Sequence, residues 1–172
     1  MNQACDAFVD TLPTGNLSCL EISGVGDRWA RRTWASYRST AYPEYDVCLE
    51  PLPGAWDVVI ADQVLEHLVD PQRALDNMRR MLRKGGVALV TTPFLIKFHP
   101  CPHDYSRWTE EGLREMLLRS KYSSVEVASW GNLECLVADM TDDNRWTTYD
   151  PALHSLRNDP RFPLTVWAFA RH

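Results

Sequence analysis

A chain of 172 residues, 45% of them hydrophobic, is long enough to bury one sizeable core and short for two, so a single domain over residues 1–172 is expected. A formal net charge of −5 gives no basic footprint for nucleic acid or an anionic membrane, which leaves a small molecule as the expected partner of a monomer or homodimer. Nowhere do eighteen apolar residues run together, and the five unpaired-looking cysteines, at 5, 19, 48, 101 and 135, form no CxxC pair, so a reduced cytoplasmic setting without a membrane span or secretion signal is expected.

In chain order, residues 4–12 read as a short lid helix ended by Pro13 and Gly15. LSCLEIS (17–23) reads as a first buried strand with an acid near its end, and SGVGDRW follows, with Gly24 and Gly26 able to turn tightly and approach a ligand. The Trp- and Arg-rich stretch 27–45 holds a brief helix and a second strand near 37–42. It is too short for an ordinary crossover, so a helix and perhaps a strand are trimmed there. WDVVIAD (56–62) is the next buried strand. Asp70-Pro71 then opens a helix as N-cap and first helical residue, with Gly85-Gly86 expected to close it; Ala74, Leu75, Met78, Met81 and Leu82 share its inner face.

The strand Val87 to Val90 is apolar at consecutive positions, as a parallel strand covered on both faces should be, and Pro93 ends it. It delivers a loop carrying His99, His103, Asp104, Tyr105 and Arg107 to the carboxyl end of the sheet, where open α/β sheets bind ligands. Thr109 caps a further helix, with Leu113, Met116 and Leu117 inward, and residues 123–130 form a strand. Residues 131–162 are polar and turn-rich, an irregular lid-like excursion, before a terminal strand over 163–171 that lies antiparallel to its neighbours.

LEISGVGD, WDVVIADQVLEHL, DPQRALDNMRRMLRKGG and VALVTTPF, in this order, resemble the class I S-adenosylmethionine-dependent methyltransferases, most specifically in VLEHLVDP and MLRKGGVALVTTPF. The resemblance implies an α/β fold: a Rossmann-like, mostly parallel sheet with an antiparallel last strand and helices on both faces, here shortened between strands 2 and 4. It also implies S-adenosylmethionine as cofactor and S-adenosylhomocysteine as product. Carried over, Glu21 matches the acid near the donor's amino-acid portion, and Asp62 and Gln63 match the segment beside its methionine and adenosine parts. Ser23, Gly24 and Gly26 form the glycine loop, out of register with the usual E-x-G-x-G-x-G, while position 41 is Ala and Tyr42 stands near the place of the ribose-binding acid. PHDYSRWTEEGL further resembles a branch tied to saccharide metabolism, so a sugar hydroxyl and polysaccharide biosynthesis are the implied acceptor and setting.

Methyl transfer to an alcohol is helped by a base near neutral pH, which makes His103 the first candidate, with Asp104 as its orienting acid or itself the base, and His67 as the second histidine. Tyr105, Arg107, Trp108, Trp130 and Asn132 offer stacking and hydrogen-bonding surfaces to a sugar, or else belong to the core. His99, Cys101, His103 and Asp104 crowd one loop. However, Pro100 and Pro102 argue against the helix that would align H-x-x-x-H, so a divalent metal, suited to orienting sugar hydroxyls more than to a structural role, is a disfavoured cofactor and no residue is assigned to it. Two other readings stay open: methylation of another small metabolite at oxygen or nitrogen, and a catalytically silent donor-binding module. A dehydrogenase is disfavoured because no GxGxxG follows the first strand.

Overall fold

The structure is a computed structural model that describes residues 1–24, 27–141 and 149–172. Gly26, expected in the donor loop, lies outside the described residues. Six strands, β1 (Ser18–Glu21), β2 (Ser36–Ser39), β3 (Trp56–Asp62), β4 (Leu82–Pro93), β5 (Ser124–Trp130) and β6 (Thr165–Arg171), form one sheet in the order β2-β1-β3-β4-β6-β5. The first four pair in parallel, and β6 lies antiparallel between β4 and β5, the mixed sheet expected. No helix separates β2 from β3.

Alternation along each strand divides the core in two. Leu20, Val59, Ala61, Ala88 and Val90 face Leu75 and Met78 of helix α2 (Pro71–Met81) and Leu113 and Leu117 of helix α3 (Glu110–Arg119). Cys19, Val58, Ile60, Val87 and Leu89 face the other side, where Cys5 and Val9 of helix α1 (Asn2–Asp10) pack with Trp29. Cys5 and Val9 stand four residues apart with no solvent exposure, so α1 is part of the core rather than the lid expected of it. Apolar burial lifts the Cys5 thiol to about 12, and this cysteine is a packing residue.

Two boundaries differ from expectation. Asp70 accepts from the Arg73 N–H at 3.0 Å as N-cap, but α2 ends at Met81 instead of running to the glycine pair. Leu82 is already extended and pairs with Trp56, and Gly85 and Gly86 make a bulge inside β4. A Cβ on Gly86 would lie 2.9 Å from the Arg83 and Asp57 carbonyl oxygens, so glycine serves the sheet here and not a helix cap. The second difference lies in the excursion. Its first part folds as helix α4 (Leu133–Thr141), where Asn132 accepts from the Cys135 N–H at 2.8 Å. No helix among the described residues is long and apolar enough to cross a membrane.

Candidate active site

β1, β3 and β4 end side by side, with Glu21 in register with Ile60 and Asp62 with Thr91, so polar residues just past the apolar runs meet at one edge. Glu21 is 4% exposed and receives the Tyr37 hydroxyl. Burial lifts its carboxyl above the usual carboxylate range, against the pull of that hydrogen bond. Beyond it Ser23 adopts a left-handed backbone (φ 51°) and donates its N–H to Thr40 Oγ1 at 3.1 Å, which presses the loop onto the ends of β1 and β2. A Cβ on Gly24 would come within 2.5 Å of Ser39 Oγ and 2.7 Å of Glu21 Cδ, so a side chain there would have to displace the Ser39 hydroxyl and the buried Glu21 carboxyl. At the end of β2 stand the hydroxyls of Ser39 and Thr40 in place of an acid, and Tyr42 lies beyond them, 60% exposed.

Asp62 closes β3 and organises this edge. Its carboxylate accepts from Arg28 at 2.9 Å, from the Trp29 indole at 3.0 Å and from the Thr91 hydroxyl at 2.5 Å. Arg28 in turn reaches the Asn2 carbonyl at 2.9 Å and Asp6 at 3.2 Å, fastening α1 across the same edge. Gln63, left-handed at φ 58°, donates its backbone N–H to the Thr91 carbonyl at 3.1 Å and its side-chain amide to Thr91 Oγ1 at 3.0 Å.

One turn further, Leu65–His67 forms a 3₁₀ turn that brings Glu66 inward and His67 toward the loop after β4. Two bonds tie turn and loop together: the Tyr105 N–H donates to the Glu66 carbonyl at 2.7 Å, and His67 Nδ1 donates to the His103 carbonyl at 2.6 Å. Glu66 is fully buried, and its Oε1 faces His67 Nε2 at 3.6 Å and His99 Nε2 at 3.7 Å. The two imidazoles meet edge to face with centroids 5.2 Å apart. The Glu66 carboxylate, with Asp104 behind, holds His99 above the ordinary histidine range against desolvation.

Asp104 is not beside the His103 ring, because successive residues of an extended loop point apart. Its carboxylate makes a two-pronged pair with Arg107, 2.6 Å on one branch, and accepts from the His99 N–H at 2.9 Å. The guanidinium holds Asp104 down to about 2, so this carboxylate orients His99 and its own loop and is a poor proton acceptor. His103 is exposed and stacks obliquely with Tyr105 at 5.3 Å. Tyr105 itself is 51% exposed, whereas Trp108 packs on the core.

Trp130 donates its indole N–H to the Leu156 carbonyl at 3.1 Å and lies against Tyr149. Asn132, half-expected to contact a substrate, has its amide bound to the Ser155 and Arg157 carbonyls at 2.7 and 3.1 Å, and this holds the segment after α4. Beside it opens a surface cavity of about 560 Å³ lined by Glu134, Arg157, Asp159 and Arg161. Sequence reasoning passed over Glu66, gave Thr91 only as the end of an apolar run, and put His99 in the ligand loop without a role of its own. The signal for Glu66 was an acid following Val64-Leu65 with no polar flank before it, an unusual place for a charge.

Residues 3–88 match the family model described as a methyltransferase domain, and the chain belongs to the S-adenosylmethionine-dependent methyltransferase family. A probable S-adenosylmethionine-dependent methyltransferase of Mycolicibacterium smegmatis is 51% identical over 51 residues; the match spans 29% of this chain and 20% of that protein's length. Among solved structures, an S-adenosylmethionine-dependent methyltransferase from Mesorhizobium loti superposes with a TM-score of 0.62 at 15% identity, covering 97% of this chain and 96% of its own. The Haemonchus contortus phosphoethanolamine N-methyltransferase 2, solved with S-adenosylhomocysteine, gives a TM-score of 0.62 at 15% identity over 99% of this chain and 52% of its own. At such identities the two structures establish a shared fold.

Proposed function

We propose that the protein transfers a methyl group from S-adenosylmethionine to a hydroxyl of a small acceptor, a saccharide being the class its His loop suggests. The observation that carries this reading is the shared carboxyl edge, where Glu21, Gly24 and Asp62-Gln63 stand at or just past the ends of β1 and β3, His67 lies on the turn after β3, and His99 and His103 lie on the loop after its neighbour β4. The residues present suit such a donor: a loop whose glycine packs directly on the Glu21 carboxyl and the Ser39 hydroxyl, a buried acid, and an amide at the end of β3. When bound, the donor supplies an electrophilic methyl on a sulfonium, so alignment and exclusion of water provide much of the rate.

Glu21, Ser23, Gly24 and Gln63 hold the donor in this reading, while Asp62 fixes the edge on which they stand. His103 takes the acceptor's proton at its imidazole, and Tyr105 and Trp130 present ring faces to the acceptor. Asp104 and Arg107 act one layer behind, by holding the loop. A cytoplasmic single domain working as monomer or homodimer belongs to the same proposal. Calorimetry with S-adenosylhomocysteine, followed by a mass-spectrometric acceptor screen, tests it: saccharide products lost in His103→Ala, at unchanged S-adenosylhomocysteine affinity, are expected. No binding of the product by the wild type would remove the reading.

The second reading, a donor-binding module without turnover, is favoured by the lack of an acid at the end of β2 and by the Tyr37 hydroxyl already on Glu21. It predicts S-adenosylhomocysteine binding with no product from any acceptor class.

A further inference from the structure

The Glu66, His67 and His99 side chains make a cluster that methyl transfer does not need. Glu66 is completely buried, and among the described residues neither of its carboxylate oxygens has a hydrogen-bond partner. A desolvated carboxylate in that condition is costly, and buried charges are ordinarily paired or bound to a metal. Its Oε1 instead points at two imidazole nitrogens, 3.6 and 3.7 Å away, too far for good hydrogen bonds. Those separations fit a shared cation: two bonds of about 2.1 Å at a tetrahedral angle set their ligand atoms about 3.4 Å apart. All three ligand atoms lie within 4.8 Å of one another.

The surroundings orient both imidazoles the same way. His67 donates Nδ1–H to the His103 carbonyl at 2.6 Å, which leaves Nε2 as the ring's lone-pair atom, directed at Glu66. His99 turns Nδ1 toward Asp104 Oδ2, the Lys97 carbonyl and the Arg107 guanidinium, each at 3.4 Å, and Nε2 toward Glu66. Asp104 is itself fixed by Arg107. Carbonyl and carboxylate partners behind two Nε2 ligands are the outer shell that sets tautomer and ring direction at metal sites. The turn and the loop that supply the ligands are joined by the Tyr105 to Glu66 backbone bond, so the three groups are held before any ion arrives.

We propose that Glu66, His67 and His99 bind one divalent first-row transition ion through one carboxylate oxygen and two Nε2 atoms. Two imidazoles and one carboxylate favour Zn²⁺, Co²⁺, Mn²⁺ or Fe²⁺ over Ca²⁺ or Mg²⁺, which take oxygen shells. Three protein ligands leave coordination positions for water or an acceptor oxygen.

The test is direct ion binding to the chelator-stripped full chain, by calorimetry with Zn²⁺ and by the visible absorption of bound Co²⁺, which reads the site whether or not the protein transfers methyl groups. One ion per chain is expected for the wild type. Glu66→Gln, which keeps the shape and removes a buried charge, and His99→Ala should each bind at least about tenfold more weakly, and Asp104→Asn roughly 10–100-fold more weakly. Cys101→Ser should bind as the wild type does. If His99→Ala does not fold, Glu66→Gln alone decides. Absence of stoichiometric binding by the wild type, or unaltered binding by Glu66→Gln, overturns the proposal.

Discussion

Replacing Asp62 by Asn tests whether one carboxylate organises the ligand edge. Three donors converge on it, from Arg28, the Trp29 indole and the Thr91 hydroxyl. Both N–H donors meet Oδ2 and the Thr91 hydroxyl meets Oδ1, so an amide of the same shape keeps the N–H pair only by turning its NH₂ onto the Thr91 hydroxyl, whose proton then loses its acceptor and whose oxygen already accepts twice from Gln63. Of the three bonds, the arginine pair is a quarter exposed on the Arg28 side and contributes about 1 kcal/mol or less. The indole and hydroxyl bonds end on a charged acceptor and are each worth about 1.5–3 kcal/mol. Trp29 is 1% exposed and Thr91 not exposed, so water does not replace what is lost. With one of those two bonds kept, Asp62→Asn should cost about 2–3 kcal/mol. For a domain of this size that lowers Tm by about 4–12 °C. Thermal melts by circular dichroism read the shift directly. A fall smaller than about 2 °C would refute the view that Asp62 holds this edge, even if the variant lost affinity for S-adenosylhomocysteine.

Further outcomes follow from single contacts. Gly24→Ala forces a Cβ to within 2.5 Å of Ser39 Oγ and 2.7 Å of Glu21 Cδ, so it should weaken S-adenosylhomocysteine binding at least about tenfold by calorimetry; unaltered affinity would detach the loop from the donor site. Gly131→Ala places a Cβ 2.2 Å from the Phe162 carbonyl oxygen and 2.4 Å from the Leu164 nitrogen, both backbone, and should cost about 2 kcal/mol or more in urea unfolding while leaving that affinity intact. Thr109→Ala removes the hydroxyl that caps α3 through the Gly112 N–H at 3.1 Å and should cost about 1 kcal/mol. Glu21 carries a pH signature: burial raises its carboxyl above 4.5, so the folded state holds that proton to higher pH than the unfolded chain does. Its contribution to stability is therefore full at low pH and fades as pH rises from 4.5 through the raised value, and melts over about pH 4 to 8 should show the wild type losing stability relative to Glu21→Gln; parallel curves would contradict it.

The buried strands β3 and β4 were legible because they end where composition changes sharply. Apolar runs such as Val87 to Val90 stop at Thr91-Thr92-Pro93, and Asp62 closes WDVVIAD, so the carboxyl edge could be placed from residue order alone. Helix ends were less so. Gly85-Gly86 is as good a sheet bulge as a helix terminator, and only the pairing of Leu82 with Trp56 decides between them. α4 escaped notice because LECLVADMT is a short apolar run followed at once by a long polar, turn-rich stretch, and its cap, Asn132, reads as a binding residue until its partners are known.

The histidine loop shows most clearly what residue order leaves out. Within the loop, His103 and Asp104 are neighbours and His99 stands apart, which suggests a His103–Asp104 pair. In space, Asp104 closes back on His99 and Arg107, and the acid facing the imidazoles comes from Glu66, more than thirty positions earlier on another strand's exit. That grouping follows from the parallel pairing of β3 with β4, which sets Asp62 opposite Thr91 and so carries the two exits side by side. The alternation inside each exit then chooses which side chains turn inward. Extending the register of β3 and β4 past their last residues, rather than scanning the loop for close-spaced ligands, is what brings Glu66, His67 and His99 together.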